Sequence, residues 1–104
     1  MESYDFPIQH FEMMHKLAAR LKVESILIME HNYNYEVFGS WWFTFNRKGE
    51  RYRMIYDSRD SCFRLKQNIR HSLKYRWEEI REEACADKSE TGIVDAVLLM
   101  INRK

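Results

Sequence analysis

A chain of 104 residues, 45% hydrophobic and 14% aromatic, suits one domain with a modest core and excludes a disordered segment. Three glycines and one proline leave little room for long flexible linkers. The net charge of +1 lacks the basic excess usual in nucleic-acid domains, but it is uneven: residues 46–76 carry ten positive and three negative side chains, residues 77–92 two positive and six negative.

The first residues, Met1 to Pro7, have neither a basic start nor an apolar stretch, so no signal peptide is expected. No apolar run approaches the ~18 residues of a membrane span. Cys62 and Cys85 form no disulfide framework and no zinc spacing, so they read as two reduced thiols in a cytoplasmic protein. No metal or other cofactor is expected.

Residues 7–21 predict a helix. Pro7 stands near its start, where the missing N–H costs nothing. Ile8, Phe11, Met14 (or His15), Ala18 and Leu21 follow at helical spacing. His10 and His15 are five apart, which puts no metal pair on one helix face, and they read as solvated or locally bonded. Ser25 to His31 is a short apolar run that predicts a strand, with Asn32 to Tyr35 as a turn.

Glu36 to Phe45 predicts the second strand, Asn46 to Gly49 a loop, and Arg51 to Tyr56 the third strand. Asp57 to Asp60 is a polar turn, and Ser61 to Gln67 predicts a fourth strand, with a helix beginning there as the alternative. Register follows from the loops. A four-residue loop at Asn46–Gly49 pairs Phe45 with Glu50, Phe43 with Tyr52 and Trp41 with Met54. One face then holds Trp41, Phe43, Phe45, Tyr52, Met54 and Tyr56, while the other holds Trp42, Thr44, Arg51 and Arg53. A slip of one residue would mix the two sets. A four-residue turn at Asp57–Asp60 adds Phe63 and Leu65 to the apolar face and Arg64 and Lys66 to the basic one. Arginines and lysines then face one another across strands, which calls for compensation by solvent, by the acidic helix that follows or by a partner.

Asn68 to Ser72 reads as a connector. Ser72 offers a cap for a helix through Tyr75–Ala84, with Leu73, Trp77, Ile80 and Ala84 on one side and Glu78, Glu79, Glu82 and Glu83 among the acidic remainder. Asp87 to Glu90 interrupts the pattern. Thr91 offers a cap for a last helix, apolar around much of its circumference, that is either well buried or a homodimer seam. The expected architecture is α+β: an N-terminal helix, a four-stranded antiparallel meander, and two C-terminal helices packed on the aromatic face.

No phosphate loop, dinucleotide fingerprint, nucleophile elbow or zinc-protease motif occurs, and no enzyme is expected. Asp57 and Asp60 read as turn formers. An acid–base cluster of His31, Tyr33 and Asp57 would need a fold that brings them together. The apolar face of Trp41, Phe43, Tyr52, Tyr56 and Phe63 reads as core, with a small-molecule pocket between sheet and helices as an alternative. The basic face, Trp42 with Arg51, Arg53, Arg64 and Lys66, suits a protein partner, since Trp and Arg dominate interface energetics. Single-stranded nucleic acid is the alternative occupant. The acidic helix, Glu78, Glu79, Glu82 and Glu83, is a second candidate contact surface, for a basic partner.

In size and layout the chain resembles the small bacterial immunity proteins that neutralise a cognate toxin domain, as in contact-dependent inhibition systems. The likeness rests on Phe38-Gly39-Ser40-Trp41-Trp42-Phe43-Thr44-Phe45, the turn with Gly49, the strand Arg51–Asp57 and the terminal helices. It implies a cytoplasmic binding protein that blocks a toxin by occlusion, and it transfers no individual functional residue.

Overall fold

A computed structural model describes residues 5–34, 40–85 and 89–102. Helix α1 (Asp5–Val23) leads into strands β1 (Ile28–Asn34), β2 (Ser40–Arg47), β3 (Glu50–Asp57), β4 (Cys62–His71) and β5 (Lys74–Ala84), and helix α2 (Glu90–Asn102) follows. The strands form one antiparallel sheet in chain order. The class is α+β, as expected, but with one strand more and one helix fewer. The segment read as a helix through Tyr75–Ala84 is β5.

The charge pattern explains β5. Against the basic β4 it sets Glu82 opposite Arg64 and Glu79 opposite Lys66. Opposite charges across strands stabilise the pairing, and they supply the compensation that the basic strands require. A helix would have turned half of those carboxylates away. The residues read as a connector, Asn68 to His71, are the end of β4, and Ser72 occupies a tight turn with φ 58°.

The β2–β3 hairpin turns on Lys48 and Gly49, both at positive φ, with Arg47 paired to Glu50. This is the two-residue turn whose twist suits a hairpin. Phe45 therefore pairs with Tyr52, Phe43 with Met54 and Trp41 with Tyr56, a slide of two positions from the expected register. The β3–β4 register slides likewise, with Met54 opposite Leu65 and Tyr56 opposite Phe63. A slide of two keeps every side chain on its face, because strands repeat every two residues. Trp41 is accordingly buried, at 3% exposure, while Trp42 lies on the other face and is half-buried.

Strand β1 starts three residues later than expected and continues through the predicted turn to Asn34. Tyr35 and the expected strand start at 36–39 lie outside the described residues, as do Ala86 and the first two residues of the predicted break, Asp87 and Lys88.

Both helices contribute to one core with the aromatic sheet face. From α1 come Met13, Met14, Leu17 and Leu21; from α2 come Ile93, Val94, Val97, Leu98, Met100 and Ile101. The inward side of α1 differs from the expected one. Ile8 and Phe11 are each 56% exposed, and His10 is turned inward instead. Ala18 is only half-buried, whereas Met14 and Leu21 are buried as expected. The cap of α2 is Ser89 rather than Thr91: its Oγ accepts the backbone N–H of Gly92 at 3.1 Å. Most of the apolar surface of α2 is spent inside the chain, and Leu99 is its one exposed large hydrophobic side chain.

Helix α2 carries no basic residue in its last turn, and the sheet supplies the missing charge. Arg47 Nη1 donates to the carbonyl of Ile101 at 2.7 Å, and Arg81 Nη1 to that of Met100 at 3.5 Å. Cations at a helix C-terminus satisfy orphan carbonyls and the helix dipole. Arg47→Met should therefore lower stability by about 1–2 kcal/mol in urea denaturation. An unchanged midpoint would deny the contact any weight.

Candidate functional site

The helices cover one side of the sheet. The opposite side is lined by Glu30 and Asn32 of β1, Trp42 and Thr44 of β2, Arg51, Arg53 and Ile55 of β3, Arg64 and Lys66 of β4, and Trp77, Glu79 and Glu82 of β5, as the pairing dictates. No described element packs over it. Every predicted basic-face residue is here: Trp42, Arg51, Arg53, Arg64 and Lys66.

The acidic set divides. Glu79 and Glu82 share this face with the basic residues. Glu78 and Glu83 point to the other side of β5, where Glu78 meets His71 Nε2 at 2.5 Å. There is thus no separate acidic helix. Two of its four carboxylates belong to the basic face itself.

A β-bulge produces this arrangement. Leu65 pairs with Arg81 and Lys66 with Glu79, so Ile80 is an extra residue on β5. Without it, alternation from Glu82 would send Trp77 to the helix side. The bulge resets the phase and brings Trp77 onto the open face with Glu79 and Glu82.

Trp77 completes a stack. The guanidinium carbon of Arg53 lies 3.9 Å from the ring centroid of Trp42 and 4.3 Å from that of Trp77. Arg53 stands on β3, with Trp42 on one side of it and Trp77 on the other, so the cation sits between two indoles. Thr44, beneath this cluster, is fully buried although it belongs to the open face. The two indoles strip water from Arg53 and pull its pKa below the usual value, while nearby Glu30 acts in the opposite direction. The Nε of Arg53 is buried and has no hydrogen-bond acceptor among the described residues.

Arg64 is the contrary case. It makes ion pairs with Asp57 (3.4 Å), Asp60 (3.6 Å), Glu79 (3.6 Å) and Glu82 (3.2 Å). The hydrogen bond to Glu82 is the main reason its pKa is raised. These contacts lie near solvent and are screened by salt. Arg64→Ala should lower the urea midpoint at low ionic strength, because four carboxylates lose their shared cation, and molar salt should erase most of the deficit. A deficit independent of salt would show that Arg64 acts by packing.

Asp57 is a turn former, as expected. Its Oδ1 accepts the backbone N–H groups of Arg59 (3.0 Å) and Asp60 (3.3 Å). It stands on the open face, whereas His31 and Tyr33 stand on the helix side, so the three do not meet. His31 and Tyr33 instead join His10, which the sequence reads as solvated or locally bonded. The Nε2 atoms of His10 and His31 are 2.8 Å apart, and the His10 ring stacks on Tyr33 at 4.0 Å. A bulge at Met29 sets the phase of β1 that turns both strand residues inward.

The aromatic face is packed core. Trp41, Phe43, Tyr52, Tyr56 and Phe63 are all at 8% exposure or less. Trp41 stacks on Tyr56 at 5.5 Å, and Tyr56 meets Phe63 at 5.1 Å. Neither cysteine forms a disulfide, both are buried, and burial pushes the Cys62 thiol up. Among the described residues, no helix is long and apolar enough to cross a membrane.

Compared with known proteins, the chain matches no family model, no curated protein and no solved structure. A functional reading therefore rests on the chemistry of the open face.

Proposed function

We propose that this protein is a non-enzymatic binding module that meets a protein partner through the open face of its sheet, and that it serves as a cytoplasmic immunity protein occluding a bacterial toxin. The observation that carries the reading is the Trp42–Arg53–Trp77 stack on an uncovered sheet. Large, rigid aromatic side chains and arginine are the usual centres of interface energy, since they bury much area at little cost in rotamer entropy. The surrounding charges are of both signs, which suits the mosaic surface of a protein and fixes its orientation.

Single-stranded nucleic acid fits less well. A phosphate track along β4 would run past Glu79, Glu82, Asp57 and Asp60, which already hold Arg64. One face of each indole is also occupied by Arg53, which limits base stacking.

The test is co-purification with the product of a neighbouring gene for a larger, secreted toxin. The wild-type chain should be retained, and a Trp42→Ala, Trp77→Ala double variant should lose most of that retention. Failure to form any complex, or equal capture of the double variant, would refute the reading. Steeply salt-dependent retention on heparin would instead favour the nucleic-acid occupant.

A further inference from the structure

We propose that Arg53 is a receptor for a single carboxylate of the protein partner, an Asp or Glu side chain or a C-terminus flanked by apolar residues. The inference rests on the open face being a protein-binding surface, and it specifies what that surface recognises.

The basic side chains of this face are in different states. Arg64 is satisfied by four carboxylates. Arg53 has none within ion-pair distance among the described residues. The acid whose charge acts on it, Glu30, is engaged at long range by Thr44 Oγ1, at 3.5 Å. Yet Arg53 is the more desolvated of the two, with the Trp42 and Trp77 ring centroids 3.9 Å and 4.3 Å from its guanidinium carbon. What remains of its bonding capacity lies in the guanidinium plane. There the N–H groups form a rigid fork: the buried Nε–H has no acceptor among the described residues, and the Nη edge is the part left open to a partner.

That fork matches a carboxylate. Two parallel N–H···O bonds are formed without bending either group, and each is stronger where water has already been removed. The stack also fixes the side chain before binding, so little further rotamer entropy is lost. The surroundings select the source of the anion. Glu30, Glu79 and Glu82 share the face, so a chain of phosphates would meet several like charges, whereas one carboxylate at Arg53, which has Lys66 opposite it, needs no further site. The indole rims and Ile55 offer apolar contact on either side, which a peptide fills and a sugar–phosphate backbone does not.

Phenylacetate, a carboxylate with an apolar flank, is the probe, and phenylacetamide is its uncharged control. In proton–nitrogen correlation spectra of the whole chain, phenylacetate should shift the Arg53 Nε–H and the indole N–H signals of Trp42 and Trp77 together, leaving that of Trp41 in place. Phenylacetamide should not. Arg53→Met should abolish the response and Arg51→Met should retain it. Equal shifts from acid and amide, or a response that survives in R53M, would overturn the assignment. A short oligothymidylate producing the same shifts at lower concentration would overturn the choice of a protein carboxylate.

Two variants tested against the co-purified partner separate this inference from the reading beneath it. If Ile55→Lys and R53M each weaken capture by about tenfold or more, both stand. If I55K abolishes capture and R53M does not, the face binds without the carboxylate. If neither has any effect, the open-face reading itself is wrong.

Discussion

Trp41→Ala is expected to cost about 3–5 kcal/mol of folding stability, and Trp42→Ala, one residue away, only about 1–2 kcal/mol. Trp41 is 3% exposed and touches Phe43, Tyr56, Phe63 and His10. Its removal leaves a cavity bounded by the sheet and α1, which rigid neighbours fill only in part. A domain of this size has roughly 5–15 kcal/mol in total, so the variant will be at the limit of folding. Trp42 lies on the open side, where its loss uncovers Arg53 and Thr44 but opens no enclosed void. The measurement is urea denaturation followed by far-ultraviolet circular dichroism, since tryptophan fluorescence itself changes in these variants. Equal costs at the two positions would mean that the open face is as much a core as the covered one. Capture of a partner should reverse the order: a folded W42A chain loses binding while keeping most of its stability.

The separation of the two tryptophans was legible from sequence because it depends only on parity. The turn lengths were read wrongly, by two positions in each hairpin, and the faces survived. Lys48 is the reason for the first error. It takes a left-handed φ of 53°, a conformation usually left to glycine or asparagine, so the turn needs only two residues. Strand β5 was not legible for the opposite reason. Its bulge at Ile80 breaks the alternation, and Trp77, Ile80 and Ala84 then fall at helical spacing by accident. The signal that identifies it is electrostatic: a basic strand followed, after a short turn, by glutamates at matching positions. Spacing alone therefore places Trp77 on a helix and hides half of the arginine stack. Within α1 the error was one of phase. Isoleucine and phenylalanine were assigned inward over a histidine, and no sequence rule anticipates a histidine paired with another and stacked on tyrosine.

That histidine carries the second large effect. Between pH 7 and pH 4 the wild-type chain should lose about 2 kcal/mol more stability than a His10→Phe variant. His10 is buried, and burial first, then His31, lowers its pKa from 6.5 to about 4; burial lowers that of His31 as well. The unfolded chain takes up a proton near pH 6.5 that the folded chain refuses until about pH 4. The unfolded state thus binds more protons across this window, and stability falls as the pH drops through it, at up to about 1.4 kcal/mol per unit. Partial solvation of the pair through the more exposed His31 reduces the total to the value given. Geometry sets the order of events. With 2.8 Å between the nitrogens and 5.0 Å between ring centroids, the imidazoles meet head-on, one Nε2–H donating to the other Nε2. A first proton can enter at Nδ1 of the donor ring and leave that bond intact. A second puts hydrogen on both facing nitrogens and drives α1 away from β1. Comparison with H10F, and not with neutral pH alone, cancels the pH dependence that both chains share. Denaturation curves of both chains at several pH values measure the difference. Parallel curves down to pH 4 would show that His10 opens to solvent before it titrates.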